Sequence, residues 1–168
     1  MILYRISIIR TAMETALMET KRPDKEEYFL EMARLIGTRA TCPRRQVGCV
    51  LVDKNNHVLA TGYNGVPRRI NHCTERPCPG AGLPSGEGLE LCRATHAEQN
   101  ALLQCSDTMA IHTVYCTAQP CFTCTKLIMN TGAVRVLFLD SHPDPAGREM
   151  WLEANSSFTW VQYEGTIK

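Results

Sequence analysis

His96 and Glu98 stand two residues apart, and further along the chain Cys121 and Cys124 stand three apart, with Pro120 just ahead of the first thiol. One imidazole and two thiols make an incomplete tetrahedral zinc shell, and a catalytic zinc keeps its fourth position for water. Zinc brings the pKa of such a water towards neutrality, which makes it a nucleophile. Glu98, two residues from the imidazole, is then available to move protons rather than to bind metal. A C-x-x-C pair alone fits structural zinc or redox chemistry, and an H-x-E alone carries little information. A purely structural zinc has no need of a carboxylate beside an open position, so the combination points to hydrolysis.

These residues need two helix starts. The pattern of Ala97, Ala101 and Leu102 predicts a helix over 95–104, and residues 121–130 read as another, stopped by Gly132. Residues three apart share a helix face, so both thiols can reach one ion. Helix N-termini carry partial positive charge, which favours thiolate over thiol. Proline suits a position where a backbone N–H would lack a partner anyway.

The rest of the chain supplies a scaffold. Asp24, with Glu27 three residues on, reads as a helix cap, followed by Tyr28, Met32, Leu35 and Ile36 at helical spacing. Two strands, 46–52 and 57–63, flank the turn-forming Asp53-Lys54-Asn55-Asn56. Residues 65–90 are rich in Gly, Pro, Cys and charge without periodicity, a long loop of the kind usually tied to function. Strands over 113–118, 134–140 and 158–163 and a helix over 146–154 complete the pattern. The expected fold is a three-layer α/β/α sandwich with a central mixed five-stranded sheet. Residues 1–22 read as an extension, either a helical arm or an upstream false start, and 23–168 as one catalytic domain.

Bulk composition narrows the class. The 168 residues carry a formal net charge of +1, with 44% hydrophobic and 21% charged. That balance lacks the basic excess of a nucleic-acid binder and tilts the substrate towards a small molecule. No stretch approaches the roughly 20 apolar residues of a membrane span. Nine cysteines, an odd number, without a clean signal-peptide core suggest reduced thiols in a cytoplasmic protein, some of them on metal.

The chain resembles the zinc-dependent cytidine deaminase superfamily, and within it the bacterial and phage type of deoxycytidylate (dCMP) deaminases. The resemblance spans about residues 24–163. It rests on Thr41-Cys42-Pro43-Arg44-Arg45-Gln46-Val47-Gly48, on Gly62-Tyr63-Asn64-Gly65-Val66-Pro67, on residues 92–101 around His96-Ala97-Glu98, and on residues 120–126. It implies zinc-dependent hydrolysis of dCMP to dUMP and ammonia, feeding thymidylate synthesis, with His96, Cys121 and Cys124 on zinc and Glu98 as proton carrier. It further implies a homohexamer, activated by dCTP with Mg2+ and inhibited by dTTP, in a cytoplasm that is the host's if the source is a phage. In that family the Gly-Tyr-Asn-Gly stretch helps form the regulatory nucleotide site, which nominates Gly62, Tyr63, Asn64 and Gly65. Glycines allow close backbone approach, and their N–H groups are anion donors; a plain strand-end turn is the other reading. Asn64 is also a candidate for holding the sugar, Phe138 and His142 for contacting the base, and Ala97 for binding the substrate. His142 stands where a tyrosine is the family pattern. Arg44, Arg45 and Lys126 are either phosphate ligands or solvated charges.

Cys42, Cys73, Cys78 and Cys92, with His72 as substitute, form a second constellation around the long loop. A loop that buries so little would gain order from a second, closed zinc site; loose reduced thiols are the alternative. Cys49, Cys105 and Cys116 sit in apolar surroundings that suit core positions. Three functions remain open: a regulated dCMP deaminase, the same chemistry on dCTP, a nucleoside or a base in RNA, and a non-catalytic zinc-binding module.

Overall fold

The computed structural model describes residues 22–84, 87–142, 145–154 and 157–165, so the amino-terminal extension lies outside the described residues up to position 21. Helix α1 (Lys25–Gly37) leads into the hairpin β1 (Gly48–Val52) and β2 (Val58–Tyr63). After the long loop come α2 (Ala97–Gln104), β3 (Thr113–Ala118), α3 (Phe122–Met129), β4 (Arg135–Asp140), α4 (Ala146–Ala154) and β5 (Thr159–Gln162). The sheet order is β2-β1-β3-β4-β5. β1 runs antiparallel to both β2 and β3, while β3, β4 and β5 are parallel. The expected mixed five-stranded sheet is therefore present, with helical crossovers joining its parallel strands.

Strand alternation divides the core into two layers. Val50 and Val52 of β1, Tyr115 of β3 and Leu137 of β4 pack against Phe29, Leu30 and Ala33 of α1. Their neighbours Cys49, Leu51, Val114, Cys116, Val136 and Phe138 face the other way, against Ala97 and Ala101 of α2, Ile128 of α3 and Trp151 of α4. Strands covered on both faces read as continuous apolar runs, as β1 does. Cys49 and Cys116 are fully buried core residues, as expected; Cys105 is only half-buried at the end of α2.

Several boundaries shift for local reasons. Asp24 caps α1 by accepting from the Glu27 backbone N–H at 2.8 Å, as its sequence position predicts. β1 starts two residues later than expected, just after Val47, whose backbone N–H is taken by a side chain. Val47 donates to Asn64 Oδ1 (2.8 Å) and Gly48 to Thr117 Oγ1 (3.1 Å). α2 starts at Ala97 because His96 is its cap, with the His96 N–H donating to Gln99 Oε1 at 2.9 Å. The hairpin turn is held by Asp53, whose carboxylate accepts from the N–H groups of Asn55 and His57. No helix among the described residues is long and apolar enough to cross a membrane.

Candidate active site

The site lies beyond the carboxyl ends of β3 and β4, the usual ligand position in open α/β sheets. The Gln119 N–H donates to the Asp140 carbonyl at 2.8 Å, tying the two strand ends together. His96 caps α2 and Cys121 caps α3, so the two helix starts face one another across that edge. Thr125, fully buried, donates its hydroxyl to the Cys121 carbonyl at 3.0 Å and fixes the first turn of α3.

His96 Nδ1 lies 3.5 Å from the Sγ atoms of both Cys121 and Cys124. Zinc–nitrogen and zinc–sulfur bonds of about 2.0–2.1 and 2.3 Å at tetrahedral angles place such ligand atoms roughly 3.5 Å apart. The three residues therefore fit a zinc ion. Among the described residues this is the one group of three or more metal-ligating side chains whose ligand atoms all lie within 4.8 Å of one another.

Without an ion the ligands share protons. The Cys124 thiol donates to Cys121, and with His96 it holds the Cys121 thiol down at about 4. Cys124 is pushed up as the donor to that thiolate. The hydrogen bond to Cys121 likewise raises His96.

Glu98, in the first turn of α2, is 4% exposed. Burial pushes its carboxyl above the ordinary carboxylate range, and neighbouring His96 opposes that shift. A folded-state pKa above the unfolded value means stability that is present at acid pH and lost as pH rises through the folded pKa. The metal-free protein is therefore expected to be less stable than its Glu98→Gln variant above the ordinary carboxylate range. Thermal melts of both chelated proteins across pH should diverge upward from about pH 4.5. Coincident melts at every pH would contradict a buried, strained carboxyl.

A cavity of about 80 Å3 opens above these residues, room for several waters or one planar ring. Of the residues expected to contact substrate, Asn64, Ala97 and His142 line it. Phe138 does not: it is 4% exposed and packs in the core with its ring centroid 5.9 Å from that of Trp160. That expectation is corrected, since Phe138 shares the face of β4 covered by α4. Gln119, Ala94 and Val47 also line the cavity and were not anticipated. Gln119, next to Pro120-Cys121, is buried, and that adjacency was the available signal.

The basic and glycine-rich candidates have structural work as well. Arg44 donates from Nη1 to the carbonyls of Gly80 and Glu87, both at 2.9 Å, and so holds the long loop against the cavity rim. Arg45 pairs with Asp140 at 3.0 Å. Lys126 stacks over Phe122 at 4.8 Å and is not among the cavity-lining residues. The Asn64 amide bonds the backbone of Val47 and Arg45 (2.8 and 2.9 Å). Contrary to expectation, the backbone N–H groups of Asn64 and Gly65 are not open to an anion. They donate to the carbonyls of Val47 and Thr95. Gly62 is needed for packing, since a Cβ there would overlap the Ala97 carbonyl oxygen and the Ala101 nitrogen of α2. Tyr63 is exposed, and its carbonyl accepts from Asn100 at 2.7 Å.

Residues 23–140 match the family described as the cytidine and deoxycytidylate deaminase zinc-binding region. The chain belongs to this deaminase family. Its relatives include the deoxycytidylate deaminase of Mycobacterium phage D29, 40% identical over 123 residues, covering 70% of this chain and 95% of that protein. The deoxycytidylate deaminase of Schizosaccharomyces pombe is 42% identical over 130 residues, covering 72% of this chain. That of Saccharomyces cerevisiae is 37% identical over 131 residues and 77% of this chain. The matched part spans only about two-fifths of each yeast protein, 40% and 42%. Among solved structures of the deaminase fold, the dCMP deaminase of cyanophage S-TIM5 in complex with dCMP and dUMP superposes with a TM-score of 0.64. It shares 25% identity, over 85% of this chain and 99% of that one.

Proposed function

We propose that this chain hydrolyses dCMP to dUMP and ammonia, a step that supplies thymidylate precursors. The observation that carries the reading is the buried Glu98 carboxyl beside a His96–Cys121–Cys124 cradle at the floor of a small cavity. The names of the phage and yeast relatives support dCMP as substrate. Zinc, when bound, supplies a water acidic enough to serve as nucleophile near neutral pH. Glu98 would take a proton from the attacking water as the water oxygen bonds to C4 of the cytosine ring, and would deliver it to N3. It would then carry the second proton of that water to the exocyclic amine, so that the C4–N bond breaks and ammonia leaves. A raised pKa suits a carboxyl that must both accept and return protons. Asn64, Ala97 and His142 line the space where the nucleotide would sit.

Deamination of dCTP or another cytosine or adenine substrate is the second reading, and a non-catalytic zinc-binding module the third. Assaying the zinc-loaded protein against dCMP, dCTP, deoxycytidine and tRNA separates them. The dCMP reading expects the highest kcat/KM on dCMP, and activity confined to RNA would overturn it. Regulation belongs to the same proposal: a homohexamer activated by dCTP with Mg2+ and inhibited by dTTP, through Gly62, Tyr63, Asn64, Gly65, Arg44 and Arg45. Because two of the amides in that stretch are engaged, contact would come through side chains and carbonyls. A dCMP saturation curve unmoved by either triphosphate would remove the regulatory part. The cytoplasm, the host's for a phage protein, is the expected compartment.

A second zinc on Cys42, Cys73, Cys78 and Cys92 completes the proposal. The Cys78 thiol neighbours those of Cys73 and Cys92, and Cys42 lies close enough to Cys73 to act on its charge, although no three of the four Sγ atoms lie within 4.8 Å of one another. Cys42, Cys73 and Cys78 are buried, whereas the alternative ligand His72 is exposed. Burial raises the Cys73 thiol. It acts the same way on Cys78, where the Arg93 backbone N–H and the neighbouring thiols prevail and lower it. Metal analysis is expected to give two zinc ions per chain, falling to one in Cys78→Ser with faster proteolysis within the long loop. One zinc in the unaltered protein would exclude the site.

A further inference from the structure

A second concavity, of about 220 Å3, lies against the long loop and is lined by Val66, Arg69, Ile70, Asn71, Cys73, Arg76 and Arg93. It shares no lining residue with the cavity above Glu98. The segment 92–94 divides the two: Cys92 and Ala94 face the first, and Arg93 between them faces the second. Three arginines, all exposed, thus line it from two separate stretches of chain. Among the described residues none of the three makes an ion pair or side-chain hydrogen bond. No carboxylate lines the concavity, although Glu75 is in the same loop.

Like charges with no carboxylate around one recess make its local potential positive, which favours an anion there. Arg69 adds a second oddity. Its φ of 72° puts a non-glycine residue in the left-handed region, on the turn closed by the Ile70 N–H to the Pro67 carbonyl. Such a backbone costs roughly 1–2 kcal/mol for an L-residue, and glycine would avoid that penalty. An arginine fork matches phosphate oxygens in geometry and charge, and several forks around one recess suit a phosphate with more than one ionised oxygen.

We propose that Arg69, Arg76 and Arg93 form a binding site for a phosphate-bearing ligand, separate from the cavity of Glu98. The phosphate could belong to the nucleotide substrate, reaching past residues 92–94, or to a free di- or polyphosphate. This inference stands whether or not dCMP is the substrate.

Calorimetric titration of the zinc-loaded full chain with pyrophosphate, with zinc content checked afterwards, is the test. Saturable binding is expected. Arg76→Gln should weaken it about tenfold, the order expected for loss of one charge-assisted contact. Arg69→Gly is the sharper variant, because it removes a guanidinium where glycine fits the backbone. It should weaken pyrophosphate binding about tenfold with the melting temperature unchanged or raised. The source is then read from kinetics. If the substrate's own phosphate occupies the site, both variants raise KM for dCMP and not for deoxycytidine, and pyrophosphate competes with dCMP. If a free polyphosphate occupies it, KM for both substrates is unchanged and pyrophosphate does not compete with dCMP. No saturable pyrophosphate binding at millimolar concentration, or binding unaltered in both variants, would overturn the proposal.

Discussion

Glu98→Gln is expected to keep its zinc and lose its turnover. The amide is nearly the same shape as the carboxyl, so the first turn of α2 and the approach of His96 to the thiols should persist. What disappears is, among the described residues, the one buried carboxyl beside the cradle, a group that can accept a proton and give it back. General acid–base catalysis is worth about 10²–10⁴-fold per positioned group, and Glu98 is assigned more than one transfer. A fall in kcat of at least about 10³-fold follows, roughly 4 kcal/mol of barrier at 1.36 kcal/mol per tenfold. KM should change little, because the group is asked to act in the transition state rather than in binding. Metal analysis beside steady-state kinetics checks both halves. A variant that holds zinc and works within a few-fold of the unaltered enzyme would assign the proton transfers to another residue.

Gly62→Ala is expected to be nearly as damaging, for a reason unrelated to regulation. The added methyl would overlap backbone atoms of Ala97 and Ala101, and backbone cannot swing aside as a long side chain does. α2 would have to lift from β2 and carry His96 and Glu98 with it. Overpacking of this kind costs about 3 kcal/mol. For a chain of this size that lowers the melting temperature by roughly 6–12 °C. Activity should fall before any effector is added, because the start of α2 holds two of the site residues. An unchanged melting temperature with full activity would show that α2 is not seated on β2 at Gly62.

These two positions also mark how far the sequence could be read. His96, Glu98, Cys121 and Cys124 were legible because their chemistry is local: two short spacings, each at a predicted helix start. Strand and helix order was legible from periodicity, and so was the cap at Asp24. Gly62 was visible as a glycine in a suggestive stretch, but the residue that approaches it lies on α2. No spacing within β2 reports that contact. Phe138 follows the same logic, since alternation along β4 gives two faces without saying that Trp160 and α4 cover one of them. Arg44 could be read as a charge near a phosphate, while its carbonyl partners Gly80 and Glu87 sit in a loop without periodicity. That Arg69, Arg76 and Arg93 line one recess depends on how that loop folds back on residue 93, which no short-range pattern encodes.

The most direct test of the account is to incubate the zinc-loaded protein with dCMP and measure dUMP and ammonia together. The account predicts equal amounts of both, with turnover lost on chelation and restored by zinc. Absence of dUMP from zinc-loaded, folded protein, with or without dCTP and Mg2+, would contradict it.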